Sequence, residues 1–474
     1  MSGPAHNILG SLPVPKLVWT MSAPIMLSML MSAIYNLVDS IYVAQVSELD
    51  FLALSYAYPV QLMMVAFCAG TGVGFNALFA QRLGAGQKEE ANRVACHGFL
   101  FYGLCWLLFL AFALLGAPLF FRLSTDNAAV AAAGASYLVI CCGLSIGMCM
   151  QFLTERLLQT TGHPAGFMIV QGSGAILNII LDPVFIFGLN MGVRGAAIAT
   201  VISQLGSCLF VLHFLFGPVP QVRITFGGYS RKIISRVLLT GLAPFLIIAL
   251  DNVMIIALNA VLQNYGGPEQ GDMLVAAATI AQSFMLIITM PMAGITGSTG
   301  SILGYNFGAG RPDRILEAQK YILALCLAFT TVLFLVGQFL CAPFTHIFTP
   351  DLQVSALAVQ AIKICTIGLI PLAFQYTLID GFTGMGMMQW SLPLSLLRKG
   401  VYFTALFLLP AVFGATAAFF AETVSDLFPP LVTMVVYWKR RNWIIQEAAS
   451  HRRLESDAQT AVQQPAALGQ AQAI

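Results

Sequence analysis

"APIMLSMLMSAIYNLVDSIYV", residues 23–43, lies over "APFLIIALDNVMIIALNAVLQ", residues 243–263, at an offset of 220. Further along, "RLGAGQKEEANRV" (82–94) lies over "NFGAGRPDRILEA" (306–318) at 224, and "LSTD" (123–126) over "FTPD" (348–351) at 225. A slowly growing offset marks one duplication with small loop insertions, and an internal repeat decides architecture before any single motif does. The repeated unit is apolar. With 58% hydrophobic residues, 9% charged and a mean hydropathy of +0.83, the chain falls outside the range of soluble globular domains and is an integral membrane protein. The net charge of +2 then says little about partners; the positions of the charges matter more.

Stretches long enough to cross about 30 Å of hydrocarbon as helix centre near Met29, Val65, Leu108, Leu144, Ile176, Gln204, Leu250, Leu286, Phe329, Pro371, Thr404 and Val424, predicting twelve spans. Pro4, Pro13, Pro15 and the length of the following apolar run argue against a cleaved signal, so the first span is expected to stay. If alternate loops share a side, all but four of the 22 basic residues fall on one of them. That set includes Lys16, Arg82, Lys88, Arg93, Arg311, Arg314, Arg398, Lys399 and the run Lys439–Arg441. Arg122, Arg194 and Lys363 fall opposite, and Arg156 lies near a membrane end. Basic loops mark the cytoplasmic side, so both termini are expected there. The reading is a first lobe of six spans over 1–219, a basic linker over 220–235 and a second six-span lobe over 236–445. A polar, Ala/Gln-rich tail over 446–474 is expected to be disordered. Parallel repeats about an axis along the membrane normal characterise transporters whose halves rock around a central site.

Charges inside spans are costly and are functional candidates by default. In "NIILDPVFIFG" (178–188), Asn178 and Asp182 stand four apart on one helix face, and Pro183 removes a backbone donor beside them. Asp39 in the first span follows Tyr35 and Asn36; Tyr137 falls in span four and Thr200 in span six, behind the small residues of "GVRGAAIAT" (192–200). Together these side chains form an oxygen-lined pocket suited to a proton or Na⁺, with Asp39, Asn178, Asp182 and Thr200 as the ligands in the Na⁺ case. The rival reading is local capping of Asp182 at the membrane surface. "TERLLQTTGHP" (154–164) sets Glu155 beside Arg156; neighbours point apart on a helix, leaving Glu155 either a cation contact in the cleft or part of a structural ion pair.

In the second half the embedded acids are Asp251, Asp380, Glu422 and Asp426. The repeat puts Asn259 opposite Asp39 and Thr404 opposite Asp182, and only Asp380, opposite Glu155, keeps an acid. The coupling site is therefore expected in the first lobe, with a structural role for Glu422 and Asp426. Tyr35, Asn36, Met63, Met64, Glu155, Asp251, Met285, Met292 and Asp380 are candidates for the cargo cleft, the methionines as adaptable apolar lining. "LGAG" and "FGAG" lack the preceding strand and following Lys-Ser/Thr of a phosphate loop and read as turn glycines. The ten cysteines form no CxxC and no disulfide frame, and the six histidines offer no HExxH.

"ERLLQTTGHP", "NIILDPVFIFG", "GVRGAAIATVISQ" and the paired "GAG" loops resemble the multidrug and toxic compound extrusion (MATE) transporters, in their MepA-like and DinF-like prokaryotic branch, over nearly the whole chain. The resemblance implies an all-α membrane protein of twelve helices in two pseudo-symmetric lobes. It implies a first-lobe ion site at Asp39, Tyr137, Asn178, Asp182 and Thr200. A NorM-type second-lobe cation site also wants an acid in span eight, where this chain has none. The expected function is antiport: export of small amphipathic or cationic molecules, antibiotics among them, in exchange for H⁺ or Na⁺. The expected protein is a monomer in the bacterial inner membrane, in contact with lipids and with no cofactor and no nucleic-acid partner. The lack of a Walker motif argues against ATP, and the lack of paired acids such as DDxxD against a membrane-embedded enzyme. A lipid or lipid-linked oligosaccharide flippase is the alternative; it calls for a strongly cationic lumen, for which only Arg156 and Arg398 are near candidates.

Overall fold

The computed structural model describes residues 7–44, 48–125, 127–216 and 229–471; the side chains of Asn36, Asp39 and residues from 451 onward are among those outside the described set. Every regular element among the described residues is helical. Ten helices are long and apolar enough to cross a membrane, and two bent pairs complete the expected twelve. The pairs are Ala128–Gly143 with Ile146–Thr160, bent by 42°, and Leu352–Thr366 with Leu369–Gly384, bent by 50°. They are spans four and ten, equivalent in the repeat. The bend in span four falls at Leu144, the centre expected for that span, where the Ser145 hydroxyl donates to the Cys142 carbonyl (2.7 Å) and competes with the helical ladder.

Four loops at one end of the bundle terminate helices by the same device. Gly86, Gly162, Gly310 and Gly386 all have φ between 61° and 87°, a region open to glycine at no cost. The following residue donates back across the turn in each, as Gln87 N does to Arg82 O and Met387 N to Phe382 O. These are helix caps, as the turn reading expects. They also set the register of the repeat at 224 residues. The N-caps at the opposite end agree: Asn127 accepts from Ala129 N and Val130 N, and Asp351 from Gln353 N and Val354 N. The pairing of "LSTD" with "FTPD" is therefore one residue off, because the cap needs its Asn or Asp two residues after Thr125 or Thr349. The same register sets Asp380 opposite Arg156 rather than Glu155.

The first glycine of each "GAG" has a different task. A Cβ on Gly84 would stand 1.9 Å from the Tyr305 carbonyl oxygen, and one on Gly308 2.0 Å from that of Gln81. Spans two (Glu48–Gly84) and eight (Gln270–Gly308) therefore meet backbone to backbone at the end carrying these basic loops. Gly70 on span seven and Gly294 on span one, 224 residues apart, make the matching contacts deeper in. Polar bonds join the lobes at this same end. Gln81 Nε2 donates to Gly384 O (3.1 Å), Gln159 Nε2 to Gly297 O (2.9 Å), and Asn76 Oδ1 accepts from Ser301 (3.0 Å) and Thr160.

Two expected boundaries change. Leu9, Val14, Leu17, Val18 and Met21 pack into the core of the second lobe, and Arg314 and Asn306 hold the Leu9 carbonyl, so the start of the chain straps across both lobes. The tail expected to be disordered from 446 continues the helix Phe420–Ala471. Its Ala, Gln, Glu and Arg content is strong in helix propensity, which a composition reading for polarity alone passes over. Most of the linker 220–235 lies outside the described residues, and helix begins at Arg231.

Gly84→Val is expected to force the lobes apart at this end, at an overpacking cost of about 1–3 kcal/mol. Spin labels at exposed Gln87 and Asp313 should report a longer distance in that variant. Gly103→Val, where a Cβ meets nothing within 4 Å, should leave the distance unchanged.

Candidate functional site

Span five, Pro164–Pro183, carries Asn178 and Asp182 on its buried face, 2% and 1% exposed. Asn178 Nδ2 lies 3.2 Å from Asp182 Oδ1 and 3.4 Å from Thr200 Oγ1, and Thr200 donates to the Ala196 carbonyl (2.9 Å). Asn178 Oδ1 is buried with no hydrogen-bond partner among the described residues. Pro183 ends the α-helix, and a wider π turn, Val184–Gly188, follows. Gly195 fits against that turn, since a Cβ there would be 2.7 Å from the Phe185 carbonyl; this explains the small residues ahead of Thr200. Tyr137 of span four donates to Gln61 Oε1 of span two (2.8 Å). Asp39 and Asn36 lie on span one, and their side chains are outside the described residues.

Glu155 lines a cavity within the first lobe and not the one between the lobes. It shares a cavity of about 170 Å³ with Tyr35, Asn178 and Thr200. Gln151 Nε2 donates to its Oε1 at 2.7 Å. The Gln171 amide, oriented to accept from Ser32, donates to both carboxylate oxygens at 2.7 and 3.2 Å. A scan of spans for charge finds the acids but passes over Gln151, Gln171 and Ser32. Gln151 stands four residues before Glu155 on one helix face, but Gln171 comes from span five, and nothing in the sequence marks it as a partner.

Arg156, the next residue, points the other way. It lines a second cavity, about 230 Å³, between the lobes, with Asn76 of span two, Thr296 and Gly300 of span eight, Asp380 of span ten and Lys399 of span eleven. Asn76 and Gly297, which take part in the bonds that join the lobes, line it toward the closed end of the bundle. Of the cleft candidates with described side chains, only Asp380 is here. Met292 is fully buried in the second-lobe core, Met64 packs its sulfur against Cys142, and Met63 is 46% exposed away from the cavity. Met285 and Asp251 line a third cavity, inside the second lobe.

Arg398 and Lys399 are the largest departure from the sequence reading. Counted there as loop residues, they lie ten residues or more into the spanning helix Met388–Phe413, about 15 Å at helical rise, 8% and 2% exposed. Arg398 Nε donates to Asp426 Oδ1 (2.8 Å) and Nη2 to Glu422 Oε1 (3.0 Å); Lys399 pairs with Asp251. The basic pair follows "SLPLSLL" in sequence and reads as a flanking loop only if the previous helix is set too early. Arg156 has no carboxylate within ion-pair distance among the described residues and makes one hydrogen bond, to Gln159 Oε1 (3.1 Å).

Two inward-facing lobes, each with a buried polar cluster, flank one central cavity. The MatE family model matches residues 24–184 and again residues 245–406, once in each lobe. The chain belongs to the MatE family. As a MatE protein it is a multi-pass membrane transporter and not an enzyme. It is 24% identical over 450 residues to the multidrug export protein MepA of Staphylococcus aureus, covering 91% of this chain and 95% of that one. It is 26% identical over 376 residues to an FAD transporter of Shewanella oneidensis, covering 74% and 77%. A solved structure described as the outward-facing conformation of a multidrug resistance MATE family transporter superposes with a TM-score of 0.89 at 23% identity, over 94% of this chain and 100% of the other. The duplicated match confirms the two-lobe reading of the repeat.

Arg398→Gln leaves Glu422 without its buried cation, and breaking such a pair costs about 3–5 kcal/mol. The variant should melt well below the parent in detergent. Asp426, fully buried, loses the same cation, and adding Asp426→Asn should recover part of the loss, because the innermost carboxylate is then neutral.

Proposed function

We propose that this MatE protein is a secondary-active exporter of small amphipathic molecules, driven by H⁺ or Na⁺ bound in the first lobe. It works in a bacterial plasma membrane as a monomer, with the basic end and both termini in the cytoplasm. The observation that carries this reading is the junction of Glu155 and Arg156. Adjacent residues on one helix segment, Ile146–Thr160, face the first-lobe polar cavity and the inter-lobe cavity respectively. An ion that changes the hold on Glu155, Asn178 and Asp182 moves the wall of the cargo cavity through a segment already bent by 42° at its other end. Coupling then needs only that the ion and the cargo prefer different positions of that segment.

Glu155 accepts amide donors on both oxygens, an arrangement suited to a carboxylate that a proton would neutralise. The bare Asn178 oxygen beside Asp182 and Thr200 suits a Na⁺ ligand set equally well. The lobes are in contact at the basic end, and with that end in the cytoplasm the cavity is sealed from the cell interior. The export of unrelated drugs by MepA supports the cargo class.

A second reading concerns cargo charge. Arg156, Arg398 and Lys399 face the cavity against one acid, Asp380, which favours cargo carrying an anionic group over a purely cationic one. The FAD carried by the Shewanella relative is such a molecule. Equilibrium competition of FAD against tetraphenylphosphonium for the purified protein separates the readings. Displacement by FAD that is weakened at least tenfold by Arg156→Gln supports the anionic group, and indifference to Arg156 removes it.

Proteoliposomes loaded with an ethidium-like dye, given a proton gradient or a Na⁺ gradient one at a time, test the coupling. One gradient should drive transport, and Asp182→Asn, nearly isosteric but not ionisable, should abolish it with the fold retained. Wild-type rates in Asp182→Asn would take the coupling site out of this cluster.

A further inference from the structure

Three carboxylates and two bases converge inside the second lobe, away from the first-lobe cluster. Asp251 comes from span seven, Arg398 and Lys399 from span eleven, Glu422 and Asp426 from the helix beginning at Phe420. Counted as ions they leave one carboxylate in excess. No further cation offsets it among the described residues lining the cavity that Asp251, Arg398 and Glu422 share: the other titratable groups there are Cys365 and Tyr376 of span ten and Tyr402 of span eleven.

The excess falls on the innermost acid. Asp426 is 0% exposed, and Gly368 is pressed against it so closely that a Cβ there would lie 2.4 Å from the Asp426 Cβ. Its Oδ1 accepts from Arg398 Nε at 2.8 Å and from the Ser425 hydroxyl at 3.5 Å, with Arg398 Nη2 also 2.8 Å away. Its Oδ2 is buried and receives no donor among the described residues. An ionised oxygen without a donor is the least favourable group to leave in a dry interior, and a neutral hydroxyl there costs far less. Glu422, one helical turn earlier, takes the second branch of the same guanidinium at 3.0 Å, and its side chain is 26% exposed to the cavity. A proton therefore has an accessible acid to land on and a buried one to settle on, four residues apart on one face.

We propose that the Glu422–Asp426 pair is a proton-binding site of the second lobe, holding one proton that brings the five-residue network to neutrality. Binding adds H⁺ to a carboxylate oxygen of the pair; release leaves the network with one net negative charge and Arg398 shared between two carboxylates. Arg398 and Tyr376 line both the central cavity and the second-lobe cavity, so the proton sits one residue from the cargo. A cargo anion drawing Arg398 toward itself loosens the guanidinium from the pair and strengthens proton binding, and by linkage the proton strengthens the binding of that anion. The site stands whether or not the first lobe couples export to an ion.

The test is infrared difference spectroscopy on the full-length protein in lipid at near-neutral pH. The background is Asp39→Asn/Glu155→Gln/Asp182→Asn, which removes the acids of the first-lobe cluster. A carboxylic-acid C=O band is expected there and should fall by one carboxyl group in Asp426→Asn. It should fall by the same amount in Glu422→Gln, because deleting either acid removes the excess. The second variant keeps Asp426 paired with Arg398 and serves if Asp426→Asn does not fold. A band unchanged in both variants means that both acids are ionised and overturns the proposal. Failure of transport under either gradient would count against the export reading and would leave this band where it is.

Discussion

Span two touches span eight through bare backbone, Gly84 on Tyr305 and Gly308 on Gln81, and the rest of the molecule is arranged around that crossing. Helices approach to this distance only where no side chain intervenes, and in a bilayer, where apolar side chains gain little by leaving lipid, such packing is a principal source of helix association. The contact closes one end of the bundle. It brings Asn76, Thr160 and Ser301 close enough to share hydrogen bonds, and it makes the space above them a cavity with a floor. The strap from Leu9 to Met21 lies across the same end and packs into the opposite lobe. A change that separates Gly84 from Tyr305 must also dissolve these bonds, so the crossing has the character of a latch whose two sides move as units.

Within each lobe the governing cost is that of charge in hydrocarbon, a few kcal/mol for a single ion at the centre of a helix. The two lobes meet it differently. In the first, Glu155 is satisfied by neutral amides, and Asn178 bridges Asp182 and Thr200, so the acids are met by neutral partners. In the second, Arg398 and Lys399 already neutralise most of the acid, and what remains is a single surplus carboxylate. The duplication supplied one backbone twice, and the two copies now carry different chemistry on it. At the cavity the register of 224 sets Arg156 against Asp380, a pair of opposite charges in equivalent places, so the cavity has a polarity that the symmetric frame does not.

Span four joins these parts. Its second half presents Glu155 to one cavity and Arg156 to the other, which makes it the direct link between the first-lobe cavity and the cavity between the lobes. The hinge at Leu144 and Ser145 is the place where such a segment turns without disturbing the remainder of the lobe.

The twelve spans, the duplication and the common side of the basic loops were legible in the chain, because hydropathy, repeat offset and loop charge are properties that neighbouring residues carry without reference to the fold. Asn178 and Asp182 were legible for a similar reason: a spacing of four places them on one face whatever surrounds them. The partners were not. Gln151 and Gln171 are uncharged and unremarkable until folding sets them around Glu155, and Met292, plausible as cleft lining, is core because its face of span eight points inward. Arg398 and Lys399 looked like loop residues because a buried cation is tolerable only with acids from other helices beside it. Asp251 lies some 150 residues away, and Glu422 and Asp426 belong to another span. Local pattern determined which segments enter the membrane; only the tertiary structure decided which charges within it meet, since that depends on contacts between helices distant in sequence.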